Sequence, residues 1–567
     1  MYKRQALDWL VIGVFFLALI GIIVWVVRQK QNDSADYFLG GRDATWLAIG
    51  ASIFASNIGS EHLIGLAGAG ASSGMAMAHW EIQGWMILIL GWVFVPFYTR
   101  SMVYTMPEFL ERRYNPQSRT ILSVISLVSY VLTKVAVTVY AGGLVFQQVF
   151  GIKELWGIDF FWIAAIGLVV LTALYTIFGG MKSVLYTSVL QTPILLLGSL
   201  IILVLGFKEL GGWDEMMRVC GAVTVNDYGD TMTNLIRSND DANFPWLGAL
   251  IGSAIIGFWY WCTDQFIVQR VLSGKNEMEA RRGTIFGAYL KLLPVFLFLI
   301  PGMIAFALHQ KYIGAGGEGF LPMLANGTAN ADAAFPTLVA KLLPAGVKGL
   351  VVCGILAALM SSLASLFNSS AMLFTIDFYK RFRPETPEKK LVGIGQVATV
   401  VIVILGILWI PIMRSVGDVL YTYLQDVQSV LAPGIAAAFL LGICWKRTSA
   451  QGGMWGLIAG MVIGLTRLGA KVYYSNAGEV ADSTFKYLFY DMNWLFFCGW
   501  MFLFCIIVVI VVSLATKAPT AEKIQGLVFG TATKEQKAVT RASWNHWDII
   551  HTVIILAITG AFYWYFW

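Results

Sequence analysis

Apolar runs of twenty residues or more alternate along this chain with short polar segments, and that rhythm predicts a bundle of membrane-spanning helices. A bilayer core takes roughly 20 apolar residues per helix. Fourteen runs meet that length, at about 8–28, 45–73, 79–103, 118–150, 158–178, 184–208, 243–272, 281–310, 345–379, 389–413, 418–443, 451–472, 486–515 and 547–567. Several exceed 25 residues, which predicts tilt, kinks or unwound stretches rather than straight rods. Arg28 and Lys30 follow the first run without a small-residue cleavage site, so it reads as a span and not as a signal peptide. The polar stretches 209–242 and 311–344, rich in Asn and Asp, read as surface loops or short lids. Residues 516–546 read as a charged, partly helical connector.

Charge orients the spans. With residue 1 outside, the inner segments hold 24 Lys and Arg against 13 on the outer ones, and Lys134 and Lys291 fall mid-span. This bias places both termini outside, in a multi-pass protein of the plasma (inner) membrane. It also accounts for the net charge of +6 without an acidic partner.

Composition narrows the function class. The 567 residues are 58% hydrophobic and 13% charged, and that charged share is about half of what a soluble chain carries. A soluble enzyme, a nucleic-acid binder and a disordered scaffold are thereby excluded. The six cysteines show no CxxC spacing and five lie in apolar runs, against a disulfide framework or zinc site. No catalytic triad, phosphate loop or metal-ligand cluster stands out, so an enzyme is not expected.

Polar residues inside apolar runs mark candidate sites, because each needs a partner or a water-filled cavity. In Ala51–Gly65, Ser56, Asn57, Gly59 and Ser60 compete with the helical ladder and predict local unwinding. Unwound backbone at membrane depth is tolerated beside a cavity, where freed carbonyls bind a cation. An interfacial loop between two shorter spans is the bland alternative. In Leu356–Ser370, Ala358, Ser361 and Ser362 share one helix face. A freed carbonyl with two hydroxyls makes a neutral cage suited to a monovalent ion, although small residues at this spacing also serve plain helix packing. Glu81, Lys134, Asp264, Lys291 and Gln425, with Asn57 and His62, are candidates for lining a polar cavity. The aromatics Trp80, Trp259, Tyr260, Trp261 and Tyr421 lie beside them in sequence. Rings over a circle of donors and acceptors suit a polyhydroxylated ligand; the alternative for the aromatics is a membrane-interface belt. His79 reads as a loop or boundary residue rather than a base.

GASIFASNIGSEHLIGLAGAGASSG, TMPEFLERRY, FWYWCTDQFIVQRVLS with the trailing AYLKLLPVFLFLIPGMI, ALMSSLASLFNSSAMLFTIDFYK and APGIAAAFLLGICWKRTSAQGG occur in this order. Between about residues 35 and 475 the chain thereby resembles the sodium/solute symporter family, and most nearly its sodium–glucose cotransporter branch. The resemblance implies an all-α membrane fold of about 14 transmembrane helices of the leucine-transporter type. Residues 1–44 would form a flanking helix and loop, 45–208 and 243–443 two five-helix inverted repeats joined by the outer loop 209–242, and 444–567 further flanking helices.

The resemblance also implies roles. Sodium, as co-transported ion, would sit on backbone oxygens of Ala55, Ile58 and Ala358 and the hydroxyls of Ser361 and Ser362. Solute contacts fall on Asn57, His62, Glu81, Tyr260, Trp261, Lys291 and Gln425. Leu63, Met77, Trp80 and Tyr421 would form the outer gate and Tyr260 the inner one. Two departures stand out: a polar sugar contact of relatives is Gly257 here, and a carboxylate tied to a second sodium is Ser188, with Ala364 at a neighbouring hydroxyl position. The implied activity is import of a glucose- or galactose-like sugar with one Na+ by alternating access. A myo-inositol or other polar-solute symporter is the close rival; a passive channel or a membrane sensor is the distant one. The implied partners are the sugar, Na+ and the lipid bilayer, with no nucleic acid, and a monomer suffices.

Overall fold

The computed structural model describes residues 2–29, 33–59, 61–150, 152–324, 327–413, 420–476 and 481–567. Among these, eleven helices are long and apolar enough to cross a membrane. Some join two of the runs read separately in the sequence. The helix Phe160–Leu210 has 51 residues, far more than one crossing needs at 1.5 Å per residue. It breaks at Gly180, whose φ of 52° belongs to the left-handed region. There the Tyr37 carbonyl packs against the Gly180 backbone, leaving no room for a Cβ.

This bent helix packs along Val347–Met372, and both pack on Trp46–Asn57. Trp46–Asn57 also lies along Glu277–Lys291. These helices form the buried centre, while Leu420–Cys444, Ala450–Asn476 and Trp494–Ala515 pack against one another at its flank. Among the described residues the strand content is a hairpin, Glu154–Leu155 with Ile158–Asp159, and three isolated bridges.

Two helices are interrupted where the sequence carries small and polar residues. Trp46–Asn57 ends as Ile58 turns extended (φ −80°, ψ 105°), and the chain resumes helically at Glu61–Leu66. Ser56, Asn57 and Gly59 thus do what their propensities predict; Ser60 lies outside the described residues. Trp246–Gly257 widens into the turn Phe258–Thr263 and stops at Asp264, whose side chain caps the next helix, Gln265–Leu272, at the Phe266 amide.

The two outer stretches carry short helices, Trp213–Gly221 and Ala334–Leu342. The connector after residue 515 contains Lys534–Ala542, opened by a capping box of Thr533 and Gln536. Thr540 accepts a hydrogen bond from Arg100 at 2.6 Å, and Ser543 donates one to Glu277 at 3.2 Å, so the connector clasps two helix ends. The cysteines are free, and Cys444 alone among them is exposed.

Candidate functional site

A polar cavity lies where the two interrupted helices face each other, leaving about 60 Å³ for the centres of water molecules. Asn57, His62, Trp80, Glu81, Tyr260, Trp261, Lys291 and Gln425 all line it. Asn57 and Gln425 lie 368 positions apart in sequence, and folding brings all eight residues to one chamber. Leu63 and Met77 are buried and are not among the residues that line it. The side chain of Tyr421 lies outside the described residues.

One charge pair organises the chamber. Lys291 Nζ lies 2.7 Å from Glu81 Oε2 and donates to Asn57 Oδ1 at 3.2 Å. His62 Nε2 is 3.3 Å from the same Glu81 oxygen. Asn57 in turn donates to the Tyr260 hydroxyl at 3.1 Å. A buried ammonium would be ruinous alone; here carboxylate and amide oxygens replace its hydration shell. The Lys291 ammonium also faces the Trp261 ring, 5.3 Å from its centroid.

Trp80 Nε1, a donor, and Gln425 Oε1, an acceptor, are buried at the cavity without a hydrogen-bond partner among the described residues. Trp80 stacks on Trp494 with centroids 5.5 Å apart and meets the Phe244 ring edge-on at 6.1 Å, which fixes its indole over the cavity.

Beside Tyr260 the cavity is closed by a second charge pair. Lys134 Nζ lies 2.7 Å from Asp264 Oδ2, and Tyr130 donates to the other Asp264 oxygen. Lys134 also sits 4.7 Å from the Tyr260 ring centroid and 4.7 Å from that of Phe266. Asp264 is therefore an anchor behind the cavity, whereas Lys134 lines it.

Four polar lining residues escaped the sequence reading: Glu61, Gln83, Thr138 and Gln428. Gln83 is the most telling. Its Nε2 donates to the Ser253 carbonyl at 2.8 Å, and its Oε1 accepts from Trp261 Nε1 at 3.3 Å. A Cβ on Gly257 would overlap that Oε1. The glycine is the space Gln83 occupies, so a polar group stands at this wall after all.

The serine face predicted on Val347–Met372 meets the interrupted helix directly. Ser56 Oγ and Ser365 Oγ are 2.6 Å apart, and Ser365 donates to the Ser361 carbonyl at 2.7 Å. Ser188 Oγ lies 3.3 Å from Ser361 Oγ and 3.5 Å from Ser52 Oγ. Ala55, Ile58 and Ala358 are buried alongside, and Ser362 lines the cavity itself. Because the ladder of Trp46–Asn57 stops, its last carbonyls, that of Ala55 among them, lack helical amides four residues on. The cluster supplies neutral oxygens; among the described residues no group of His, Cys, Asp and Glu is arranged to hold a metal ion.

Residues 37–460 match the sodium:solute symporter family. The chain is 36% identical over 538 residues to human sodium/myo-inositol cotransporter 2, covering 92% of this chain and 79% of that protein. It is 38% identical over 533 residues to the sodium/glucose cotransporter 1 of Ovis aries, covering 91% and 79%. Among solved structures it shares its fold with a Na+-coupled sialic acid symporter in a substrate-bound outward-open state, at TM-score 0.72 and 22% identity over 91% of this chain and 98% of that one. The chain belongs to the sodium:solute symporter family and is a multi-pass, sodium-coupled symporter.

Proposed function

We propose that this symporter imports a neutral hexose of the glucose or galactose type together with one Na+. The observation that carries the solute class is the pair of uncommitted polar atoms, Trp80 Nε1 and Gln425 Oε1, at a cavity that also holds Asn57, Tyr260 and Trp261. A donor, an acceptor and aromatic faces match the hydroxyls and C–H face of a sugar ring. The sodium/myo-inositol cotransporter among the relatives favours a second reading, a cyclic polyol such as myo-inositol, which presents the same groups.

Sodium is assigned to the carbonyls of Ala55, Ile58 and Ala358 and the hydroxyls of Ser361 and Ser362. Binding there ties the interrupted helix to Val347–Met372 and orders Asn57 and His62 for the solute. The outer gate is Trp80 with Leu63, Met77 and Tyr421. The inner gate is Tyr260, held by the Lys134–Asp264 pair, and rocking inward breaks that pair and opens both sites to the cytoplasm. Coupling is then a difference in sodium affinity between the two states. The architecture is assigned as 14 transmembrane helices, with inverted repeats at 45–208 and 243–443, the outer loop 209–242 between them, and flanking segments 1–44 and 444–567. Both termini lie outside and a monomer suffices.

One sodium per solute follows from Ser188 and Ala364. Ser188 brings a hydroxyl rather than a carboxylate, and that hydroxyl already donates to the Val184 carbonyl at 2.6 Å. Ser365 is likewise committed to Ser361 and Ser56. A second cation there would lack its compensating charge. The deciding experiment is uptake of labelled glucose, galactose and myo-inositol into proteoliposomes with and without an inward sodium gradient. Sodium-driven accumulation of a hexose above its outside concentration is expected. Equilibration alone would make the protein a channel, and accumulation of myo-inositol alone would favour the second reading.

A further inference from the structure

The cavity is lined by two carboxylates in unlike settings. Glu81 is engaged by Lys291 at 2.7 Å and His62 at 3.3 Å. Glu61 opens the helical turn that follows the break at Ile58 and lines the same cavity; its carboxylate meets a backbone amide of its own segment and feels the charges of His62 and Lys134 without an ion pair at contact distance among the described residues. The two lysines that line the cavity are already committed, Lys291 to Glu81 and Lys134 to Asp264 at 2.7 Å each. The Glu61 carboxylate is folded over the backbone at Gly59, where a Cβ would overlap Oε2. The missing side chain at residue 59 is what lets this carboxylate stand at the helix break.

A carboxylate withdrawn from bulk water is costly until its oxygens are met by donors. Its two oxygens accept a pair of neighbouring hydroxyls side by side, as they accept the two prongs of a guanidinium. With both lysines neutralised, a solute bearing its own carboxylate would meet Glu61 with no uncommitted cation to offset the repulsion. We infer that Glu61 is a solute-contact residue that accepts two adjacent hydroxyls of a neutral polyol and excludes solutes carrying a carboxylate. This deepens the polyol assignment above and rests on it.

The test is sodium-driven uptake of whichever of glucose, galactose or myo-inositol the wild type accumulates, with glucuronate added in excess as competitor. Wild type, Glu61→Gln and Glu61→Asp are compared, each checked for folding by its thermal melt. In the wild type glucuronate fails to compete. In Glu61→Gln the KM for the neutral solute rises about tenfold, glucuronate begins to compete, and half-activating sodium stays within about twofold. Glu61→Asp keeps the charge at a shorter reach, so its KM rises while glucuronate stays excluded. An unchanged KM with glucuronate still excluded in Glu61→Gln overturns the inference, as does a loss of sodium activation in step with the solute KM. A wild type that accumulates none of the three neutral solutes overturns the polyol assignment itself, and this inference with it.

Discussion

Lys291 and Glu81 form a salt bridge of 2.7 Å with side chains 4% and 1% exposed, on helices 210 residues apart in sequence. Removing one partner of such a pair strands the other charge in a poorly solvated place, at a cost of about 3–5 kcal/mol. Lys291→Ala is therefore expected to lower the melting temperature and to raise the solute KM by about tenfold or more. Adding Glu81→Gln should restore the melting temperature and leave transport impaired. Thermal melts and uptake on both variants check this. A double variant no more stable than Lys291→Ala would show that the stranded carboxylate is not the cause.

Ser362→Ala removes one hydroxyl from a cage of few neutral ligands. Half-activating sodium should rise about threefold or more, while solute affinity at saturating sodium changes little. Sodium titration of uptake measures it, and a smaller shift would move the ion away from this serine.

Gly257→Ser places a side chain where Gln83 Oε1 now sits. The glutamine must leave its bonds to Ser253 and Trp261, so the single variant should lose most transport. Gly257→Ser with Gln83→Ala returns a hydroxyl to the same wall and should recover part of it. Equal activity of the two variants would mean that the overlap does not matter.

Ser188→Asp with Ala364→Thr introduces a carboxylate and a hydroxyl at the cluster around Ser361. Reversal potentials at several solute gradients should move from a coupling ratio of one toward two. A wild-type ratio of two would defeat the single-sodium assignment.

Much of the arrangement was legible because polar residues in apolar runs advertise their cost. The stop after Asn57 follows from Ser56, Asn57 and Gly59 disrupting a helix whose neighbours are apolar. The seven residues expected to contact solute line one cavity for the same reason. What stayed hidden depends on three-dimensional proximity. Gly257 reads as a lost contact until Gln83 is seen filling its space. Glu61 looks like one more polar residue of an unwound segment until the commitment of Lys134 and Lys291 elsewhere sets it apart. The break at Gly180 was legible only as a gap between two runs. Leu63 and Met77 carry no signal that separates a lining residue from a buried one that does not line the cavity.

His79, expected at a boundary, is instead buried and held at both ring nitrogens, by the Tyr563 hydroxyl at 2.9 Å and the Leu235 carbonyl at 3.1 Å. The adjacent Trp80 shares its short helix Ala78–Glu81, and the Phe566 carbonyl accepts from the Leu235 amide at 3.0 Å. The final helical turn is thus a doorpost for the indole that covers the cavity. Any pull on the helix His546–Tyr565 would reach that post, and strain in this helix would follow the opening and shutting of the chamber.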